Sequence, residues 1–148
     1  MVGSPFQTPE ILVKDLKFIE KLSPEMCGIG PFVPHKDTKF KNENYGDVSL
    51  VLMLLSIIRL LKTNILLPAP TALGTVDPLG REKGILHGAN VVMPTLSPVK
   101  HRKDYSLYDN KICTGDEAAQ CIGCLADRMK KIGYEIVTDR GDYTENYD

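Results

Sequence analysis

Three cysteines in the last third of the chain are spaced like metal ligands. Cys113, Cys121 and Cys124 form the pattern C-x7-C-x2-C. Cys121 and Cys124 are three residues apart near the start of a predicted helix, so they share one helical face. Cys113 lies in the loop just before that helix and can fold back onto the same face. The helix dipole lowers the pKa of a nearby thiol, and thiolates are soft metal ligands, so the spacing predicts a metal site.

The same spacing leaves the identity of the metal open. An iron–sulfur cluster, with one iron position left to a non-cysteine ligand or solvent, is favoured slightly over zinc. Zinc needs a fourth ligand, for which His101 is the candidate nearby in the sequence. The alternative is that all three cysteines are small buried thiols without a metal. Cys27 lies apart in an apolar segment and is predicted to be a core thiol.

A second group of polar residues follows a predicted strand. The segment Pro70–Thr75 offers hydroxyl groups and backbone amides that suit a carboxylate or a ribose. Met26 and Met93 each lie on a predicted strand, where packing in the core is the simpler interpretation. Tyr105 and Tyr108 precede the cysteines and either stack on a ligand or cover the site.

The remaining polar residues are predicted to have structural roles. Arg81 and Glu82 are interpreted as a pair on the surface of a helix, and Asp77 as a helix cap. The three histidines, on no recognisable catalytic pattern, are interpreted as solvated; they are His35, His87 and His101.

Composition and charge narrow the class of protein. The 148 residues are 43% hydrophobic and 25% charged, with a formal net charge of −1, as in an ordinary globular domain. Because there is no basic surplus, nucleic acid is not expected as a partner. The longest apolar stretch, Val48–Leu61, is shorter than the roughly 20 residues that a bilayer requires and predicts a core helix. No signal-peptide pattern is visible, so a cytoplasmic location is expected and clustered thiols point to a metal before disulfides.

Short apolar runs alternate with helical patterns along residues 1–100. Met26–Val33 is predicted as a buried strand that runs into a loop, and Ile65–Leu67 and Asn90–Met93 are predicted as short strands. The predicted helices run from Thr8-Pro9 to about Leu22, from Asp47 to Lys62 with both sides covered, and from Asp77-Pro78 to His87, followed by Gly88. This α/β alternation predicts parallel strands joined by right-handed crossovers, in a doubly wound sheet or in part of a (β/α)8 barrel. Functional residues then lie in the loops after the strands: Met26–Val33, Pro68–Thr75 and Met93–Pro98.

The last part of the chain has a different pattern. Residues 101–148 begin with a polar stretch up to Asn110. A helix is predicted from Glu117 to Ile132, stopped by Gly133, and Tyr134–Val137 is predicted as a short final strand. The chain therefore divides into an α/β segment, residues 1–100, and a tail, residues 101–148, that carries the cysteine cluster.

Taken together, several motifs in order resemble the HydE-type maturases of [FeFe]-hydrogenase. Met26-Cys27-Gly28-Ile29-Gly30-Pro31-Phe32-Val33-Pro34-His35, with Asp37-Thr38, is similar to their sixth-strand segment. Thr71–Thr75, Gly80-Arg81-Glu82 and Gly88–Pro94 resemble strands seven and eight. Tyr105–Tyr108, Lys111-Ile112-Cys113 and the cysteine spacing match the family's tail. The resemblance covers about Gly3 to Gly133.

That resemblance implies a radical S-adenosylmethionine (SAM) enzyme of the biotin-synthase-like group, with a TIM-type (β/α)8 barrel whose C-terminal part is the biotin and thiamin synthesis-associated region. In such enzymes SAM is cleaved reductively at a [4Fe-4S] cluster, giving a 5′-deoxyadenosyl radical. Thr71 matches a residue that helps to bind a carboxylate. The positions similar to SAM-contacting residues are Met26, Met93, Tyr105 and Leu107. Those similar to the ligands of an accessory [2Fe-2S] or [4Fe-4S] cluster are Cys113, Cys121 and Cys124.

The chain departs from the family's pattern at two positions. Pro70 precedes Thr71 where the family often has a second Thr, which removes one hydroxyl and one backbone donor from the carboxylate pocket. Phe6 stands where the family usually has Gly, in the turn Gly3-x-Pro5-x-Gln7-Thr8.

The catalytic cluster motif C-x3-C-x2-C does not occur in the 148 residues. The chain is therefore expected to be the C-terminal half of such an enzyme, with strands five or six to eight of the barrel, and to be inactive alone. Its expected partners are a small-molecule substrate and the N-terminal half of the same enzyme, and its open strand edge favours self-association. The alternatives are another biotin-synthase-like radical SAM enzyme and a non-catalytic metal-binding α/β module.

Overall fold

The computed structural model describes residues 1–95, 97–105, 107–112, 118–137 and 140–144, without the side chains of Lys103 and residues 118–121. The α-helices that it contains are α1 (Pro9–Leu22), α2 (Val48–Leu61), α3 (Thr71–Val76), α4 (Gly80–Leu86) and α5 (Ala118–Lys131), and a 3₁₀ helix covers Val99–Tyr105. Within the described residues, none of the helices combines the length and the apolar character that crossing a bilayer requires.

Four extended segments, the first of them before α1, are joined by parallel bridges. Val2 pairs with Pro31, Met26 with Leu66, and Pro68 with Val91. Each bridge has two backbone hydrogen bonds; for example, the Leu66 N–H donates to the Glu25 carbonyl at 2.9 Å and the Cys27 N–H to the Leu66 carbonyl at 3.0 Å. The described bridges are parallel, and they join the segments in the order of the chain. The described pairing consists of isolated bridges and not of named strands, so the barrel assignment stays a prediction.

The extended segments have one face towards the helices. Residues two apart on an extended chain point to the same side, and bridged parallel residues share a side. Ile65, Leu67 and Ala69 are buried in the main apolar cluster together with α2. The alternate side carries Met26, Leu66, Pro68, Val91 and Met93. We call this alternate side the open face, because Met26 and Met93 are 44% and 49% exposed.

Helix α2 forms the centre of the core. Val51, Leu55 and Ile58 are buried, which stabilises the fold by roughly 1.5–3 kcal/mol for each side chain. The predicted cap is confirmed, since Asp47 Oδ1 accepts a hydrogen bond from the Ser49 N–H at 2.8 Å. The prediction that both sides of this helix are covered is wrong, because Leu60 is 81% exposed. An apolar sequence does not itself say which faces have neighbours.

The segment after the third extended stretch is helical and not the predicted loop. Thr71–Val76 forms α3, and α4 follows after a tight corner. A Cβ at Gly80 would lie 2.2 Å from the Leu73 carbonyl oxygen, so only glycine lets the two helices approach this closely. Asp77 stabilises the corner by accepting from the Leu79 N–H at 2.9 Å and from Lys83. These hydrogen bonds, first that of Lys83, hold the pKa of Asp77 below its usual value.

Helix α5 packs the tail onto the α/β segment. Leu125 and Met129 are buried, and Met129 belongs to the main apolar cluster. Gly133, with φ of +83°, follows the helix as predicted, and the Tyr134 N–H donates to the Met129 carbonyl at 3.0 Å. The predicted final strand is not observed: residues 134–137 are irregular, and no described residue pairs with them as a strand. A short apolar run needs a neighbouring edge to become a strand, and this run lies beyond the end of α5.

Candidate functional site

A buried arginine connects α3 and α4. The Arg81 side chain is 1% exposed, and its guanidinium donates a hydrogen bond to Thr71 Oγ1 at 3.1 Å. The prediction that Arg81 and Glu82 form a surface pair is wrong, since Glu82 is only 7% exposed. The reason is the close approach of α4 to its neighbours, which leaves no room for water around these side chains. Gly80 and Gly84, one helical turn apart, were the sequence signal for this close packing.

Glu82 connects α4 with the tail. Its two carboxylate oxygens accept hydrogen bonds from Arg128 of α5 at 2.5 and 2.6 Å, and Arg128 also donates to the Pro78 carbonyl. Burial alone would raise the pKa of Glu82, but the hydrogen bonds and the positive charges of Arg128 and Arg81 hold it below its usual value. This bidentate pair therefore fixes the helix that carries two of the cysteines against α4.

Thr75 connects α3 with the residues that lead to the first cysteine. Its hydroxyl donates to the Thr71 carbonyl at 3.1 Å and accepts from the Ile112 N–H at 3.4 Å. The Ile112 side chain lies against Gly74, where a Cβ would be 2.8 Å from Ile112 Cδ1. The segment before Cys113 is thus packed on the helix that presents Thr71.

The residues that resemble SAM contacts have exposed apolar or aromatic side chains. Met26 and Met93 lie on the open face, separated by the third extended segment. Tyr105 ends the 3₁₀ helix and Leu107 follows it, and both are exposed. The structure thus brings Thr71 and Arg81 together and gives the two methionines a common face. A cavity shared by Met26, Thr71, Met93 and Tyr105 stays a prediction.

The three-cysteine site is described only in part. Cys113 lies outside the described residues, and of Cys121 only the backbone, in α5, is described. Cys124 is exposed on the same helix. Among the described residues, no group of three or more His, Cys, Asp or Glu side chains could hold a metal ion. Since two of the three thiols are not described, the metal site remains a prediction.

Cys27 lies against the apolar core, as predicted. It is half-buried and packs on the main cluster beside a cavity of about 220 Å³ that also contacts Leu16, Ile19 and Ile58. Burial raises the pKa of the Cys27 thiol, although the positive charge of the N-terminus opposes this. A neutral thiol in an apolar wall has a packing role and is a poor metal ligand.

The other predicted polar residues are mostly at the surface. His87 and His101 are exposed, and His35 is half-buried with its Nδ1 accepting from the Asp37 N–H at 3.1 Å. The loop of His35 is tied to the tail, because Asp109 Oδ2 accepts from the Lys36 N–H at 2.8 Å. Tyr108 is half-buried and precedes this aspartate. The contacts of Asp109 and Arg128 were not visible in the sequence, since both join residues far apart in the chain.

Comparison with known proteins gives one extensive match. No family model matches the chain. The [FeFe] hydrogenase maturase subunit HydE of Thermotoga maritima is 42% identical over 141 residues, which are 95% of this chain and 40% of the relative. The chain thus spans less than half the length of the relative that it matches. Identity at this level over so many residues confirms the resemblance predicted from the motifs: over these 141 residues, the chain is homologous to the HydE-type maturases of [FeFe]-hydrogenase.

Proposed function

We propose that this chain is the C-terminal part of a radical SAM enzyme that acts in the maturation of the [FeFe]-hydrogenase diiron centre. The observation that carries the proposal is the 42% identity to a hydrogenase maturase over nearly the whole chain. The motifs around Met26, Thr71 and Met93, and the tail from Tyr105 to Cys124, fall within this similarity. A substrate and the remaining part of the enzyme are the partners that the proposal requires.

The open face fits one side of a SAM cavity. SAM has an apolar adenine, a sulfonium and a charged amino acid end, and the open face offers two half-exposed methionines. Tyr105 and Leu107 supply further apolar surface. When bound and reduced at a [4Fe-4S] cluster, SAM supplies a 5′-deoxyadenosyl radical. In the proposal, Met26 and Met93 hold the cofactor against the open face and exclude water, while Thr71 binds a carboxylate beside it.

The residues of this chain do not fit the catalytic cluster. That cluster needs three cysteines at the spacing C-x3-C-x2-C, and the spacing here is C-x7-C-x2-C. The chain therefore contributes to the cavity without binding the iron that delivers the electron. Parallel segments are normally covered on both faces, and the open face supports a barrel whose remaining strands come from elsewhere. The half-barrel is the fold that we propose on this basis.

The test uses a chimera of this chain and the relative. The 141 matching residues of the Thermotoga maritima protein are replaced by those of this chain, and the chimera is reconstituted anaerobically with iron and sulfide. We expect it to form 5′-deoxyadenosine from SAM with dithionite, and this chain alone to form none. Met93→Asp in the chimera should abolish SAM binding, whereas Leu60→Asp on the exposed side of α2 should not. A soluble chimera that holds its catalytic cluster but neither binds nor cleaves SAM contradicts the proposal.

A further inference from the structure

The hydrogen bond between Arg81 and Thr71 fixes the direction of a hydroxyl proton. A guanidinium has N–H donors and no acceptor. Because Arg81 donates to Thr71 Oγ1 at 3.1 Å, that oxygen acts as an acceptor in this contact. The hydroxyl proton of Thr71 must then point away from Arg81. Thr71 is half-buried, so part of the residue is in contact with solvent.

The hydroxyl of Thr75, the second in α3, differs from that of Thr71 in its hydrogen bonds. Thr75 donates its proton to the Thr71 carbonyl and accepts from Ile112, so its hydrogen-bonding capacity serves the fold. For Thr71, the part of the chain that the structure describes shows the contact to Arg81 and no acceptor for the hydroxyl proton. Of the two threonines, Thr71 is the one that can donate to a ligand.

Burial strengthens this arrangement. Arg81 is 1% exposed, and in such a poorly solvated place a hydrogen bond from a charged donor is stronger than in water. The guanidinium polarises the Thr71 hydroxyl, so the hydroxyl becomes a stronger donor to a ligand on its other side. A carboxylate oxygen is a stronger acceptor than the oxygen of a neutral amide of the same shape, so a carboxylate gains more from this chain of hydrogen bonds.

We propose that Arg81 is a positioning residue of the carboxylate site: it orients the Thr71 hydroxyl as a donor and makes the site prefer a carboxylate over a neutral carbonyl. This inference rests on the proposed role of Thr71 in binding a carboxylate. It explains how a single threonine serves that role although Pro70 lacks a hydroxyl and a backbone donor. Arg81 acts through Thr71 and need not touch the ligand.

Acetate and acetamide are the probes, because they have the same shape and differ in charge. Each is titrated at constant ionic strength into the chain while the methyl signal of Thr71 and the Nε–H signal of Arg81 are followed by NMR. We expect acetate to shift both signals in a saturable way and acetamide to bind more weakly. Thr71→Val should abolish the acetate shift at the Arg81 signal, and Thr71→Ser should retain it.

Variants of Arg81 distinguish its orienting effect on the Thr71 hydroxyl from a general effect of positive charge. Arg81→Gln should raise the Kd for acetate roughly tenfold, the factor expected when one charge-assisted hydrogen bond is lost. It should also reduce the preference for acetate over acetamide. Arg81→Lys, which keeps a charge and a donor, should recover part of both. Lys14→Gln removes an exposed positive charge on α1 and should leave acetate binding unchanged.

A second measurement applies even if the Arg81 variants do not fold. In Thr71→Asp the new carboxyl group takes the place of the hydroxyl beside Arg81. It should titrate well below the usual aspartate pKa of about 4, and acetate binding should disappear. A normal or raised titration overturns the inference.

The outcomes distinguish the inference from the proposed function. If folded Arg81→Gln binds acetate with the Kd of the parent chain while Thr71→Val loses it, Arg81 does not position the site and the role of Thr71 stands. If the parent chain shows no saturable acetate shift, the carboxylate role of Thr71 fails and the inference fails with it.

Discussion

Arg81 and Glu82 are adjacent on α4 but contact different helices. Consecutive residues on a helix point about 100° apart. Arg81 accordingly reaches Thr71 of α3, and Glu82 reaches Arg128 of α5. Both side chains are buried, so each of these contacts lies in a poorly solvated place, where hydrogen bonds to charged groups are strong. One turn of α4 therefore links the proposed carboxylate site with the helix that carries Cys121 and Cys124.

The pair between Glu82 and Arg128 should make stability depend on pH. The pKa of Glu82 is lower in the folded than in the unfolded chain, so the pair stabilises the fold above the usual glutamate pKa. This stability is lost as the pH falls through the lowered pKa. Glu82→Gln should cost about 2 kcal/mol of unfolding free energy at neutral pH, because the two charge-assisted hydrogen bonds between Arg128 and the Glu82 carboxylate are lost. Urea unfolding of both proteins at several pH values measures the difference.

That difference should shrink as the solution becomes acidic, since both proteins then lack the carboxylate. Glu135→Gln is the matched control, because Glu135 is exposed beyond the end of α5. A gap between the parent and Glu82→Gln that stays constant down to the acid range would show that the charge pair is not its cause.

The cysteines give a second prediction at the scale of residues. If Cys113, Cys121 and Cys124 hold an accessory iron–sulfur cluster, Cys121→Ser should lose most of the iron that the parent chain takes up in anaerobic reconstitution with iron and sulfide. Visible absorption and iron content measure the uptake. Cys27→Ser is the control, since Cys27 packs in an apolar wall and should not contribute a ligand. Equal uptake by the parent and Cys121→Ser would end the cluster assignment.

At the scale of elements, the corner between α3 and α4 depends on glycine. Gly80→Ala would place a methyl group 2.2 Å from the Leu73 carbonyl oxygen and only 2.6 Å from its carbon. Backbone atoms on both sides must move to relieve this overlap, so we expect a loss of more than about 2 kcal/mol of unfolding free energy. Chemical denaturation followed by circular dichroism measures it.

Gly123 provides the matched control within a helix. It lies inside α5, and a Cβ there would have nothing within 4 Å. Gly123→Ala should therefore stabilise the chain by about 0.5–1 kcal/mol, the difference in helix propensity. If the two substitutions had the same effect, the close approach of α3 and α4 would not be a constraint on the fold.

At the scale of the whole molecule, the two methionines of the open face are only partly covered by the residues that the structure describes. Parallel sheets are normally buried on both sides, yet Met26 and Met93 are about half exposed here. We expect the chain to self-associate through this face when its proposed partner is absent. Sedimentation over a wide range of protein concentration should show concentration-dependent association, and Met93→Lys should weaken it.

Leu60→Lys is the control for this experiment. Leu60 is more exposed than Met93 but lies on α2, which packs against the other side of the extended segments. If Leu60→Lys weakened association and Met93→Lys did not, the contact would be on the helical side and the open face would need no partner. A chain that stays monomeric at all concentrations would also contradict the expectation.

The sequence by itself predicted most of the helices and the resemblance to HydE-type maturases. The helices are marked by local features: the period of apolar residues, Asp47 before α2, and the glycines after α4 and α5. Local backbone preferences decide where such helices begin and end. The order of motifs was sufficient to predict the homology to HydE-type maturases. These signals depend on neighbouring residues in the chain, which is why they can be recognised without a structure.

Only the tertiary structure decided what surrounds each side chain. Arg81 and Glu82 have the composition of a surface pair, but the close approach at Gly80 and the docking of α5 bury both. Leu60 has the composition of a core residue and is exposed. Residues 134–137 have the pattern of a strand but are irregular, without a strand partner among the described residues. Whether a side chain is buried or paired depends on residues far away in the chain, as the contact between Glu82 and Arg128 shows. A pattern of neighbouring residues does not contain this information.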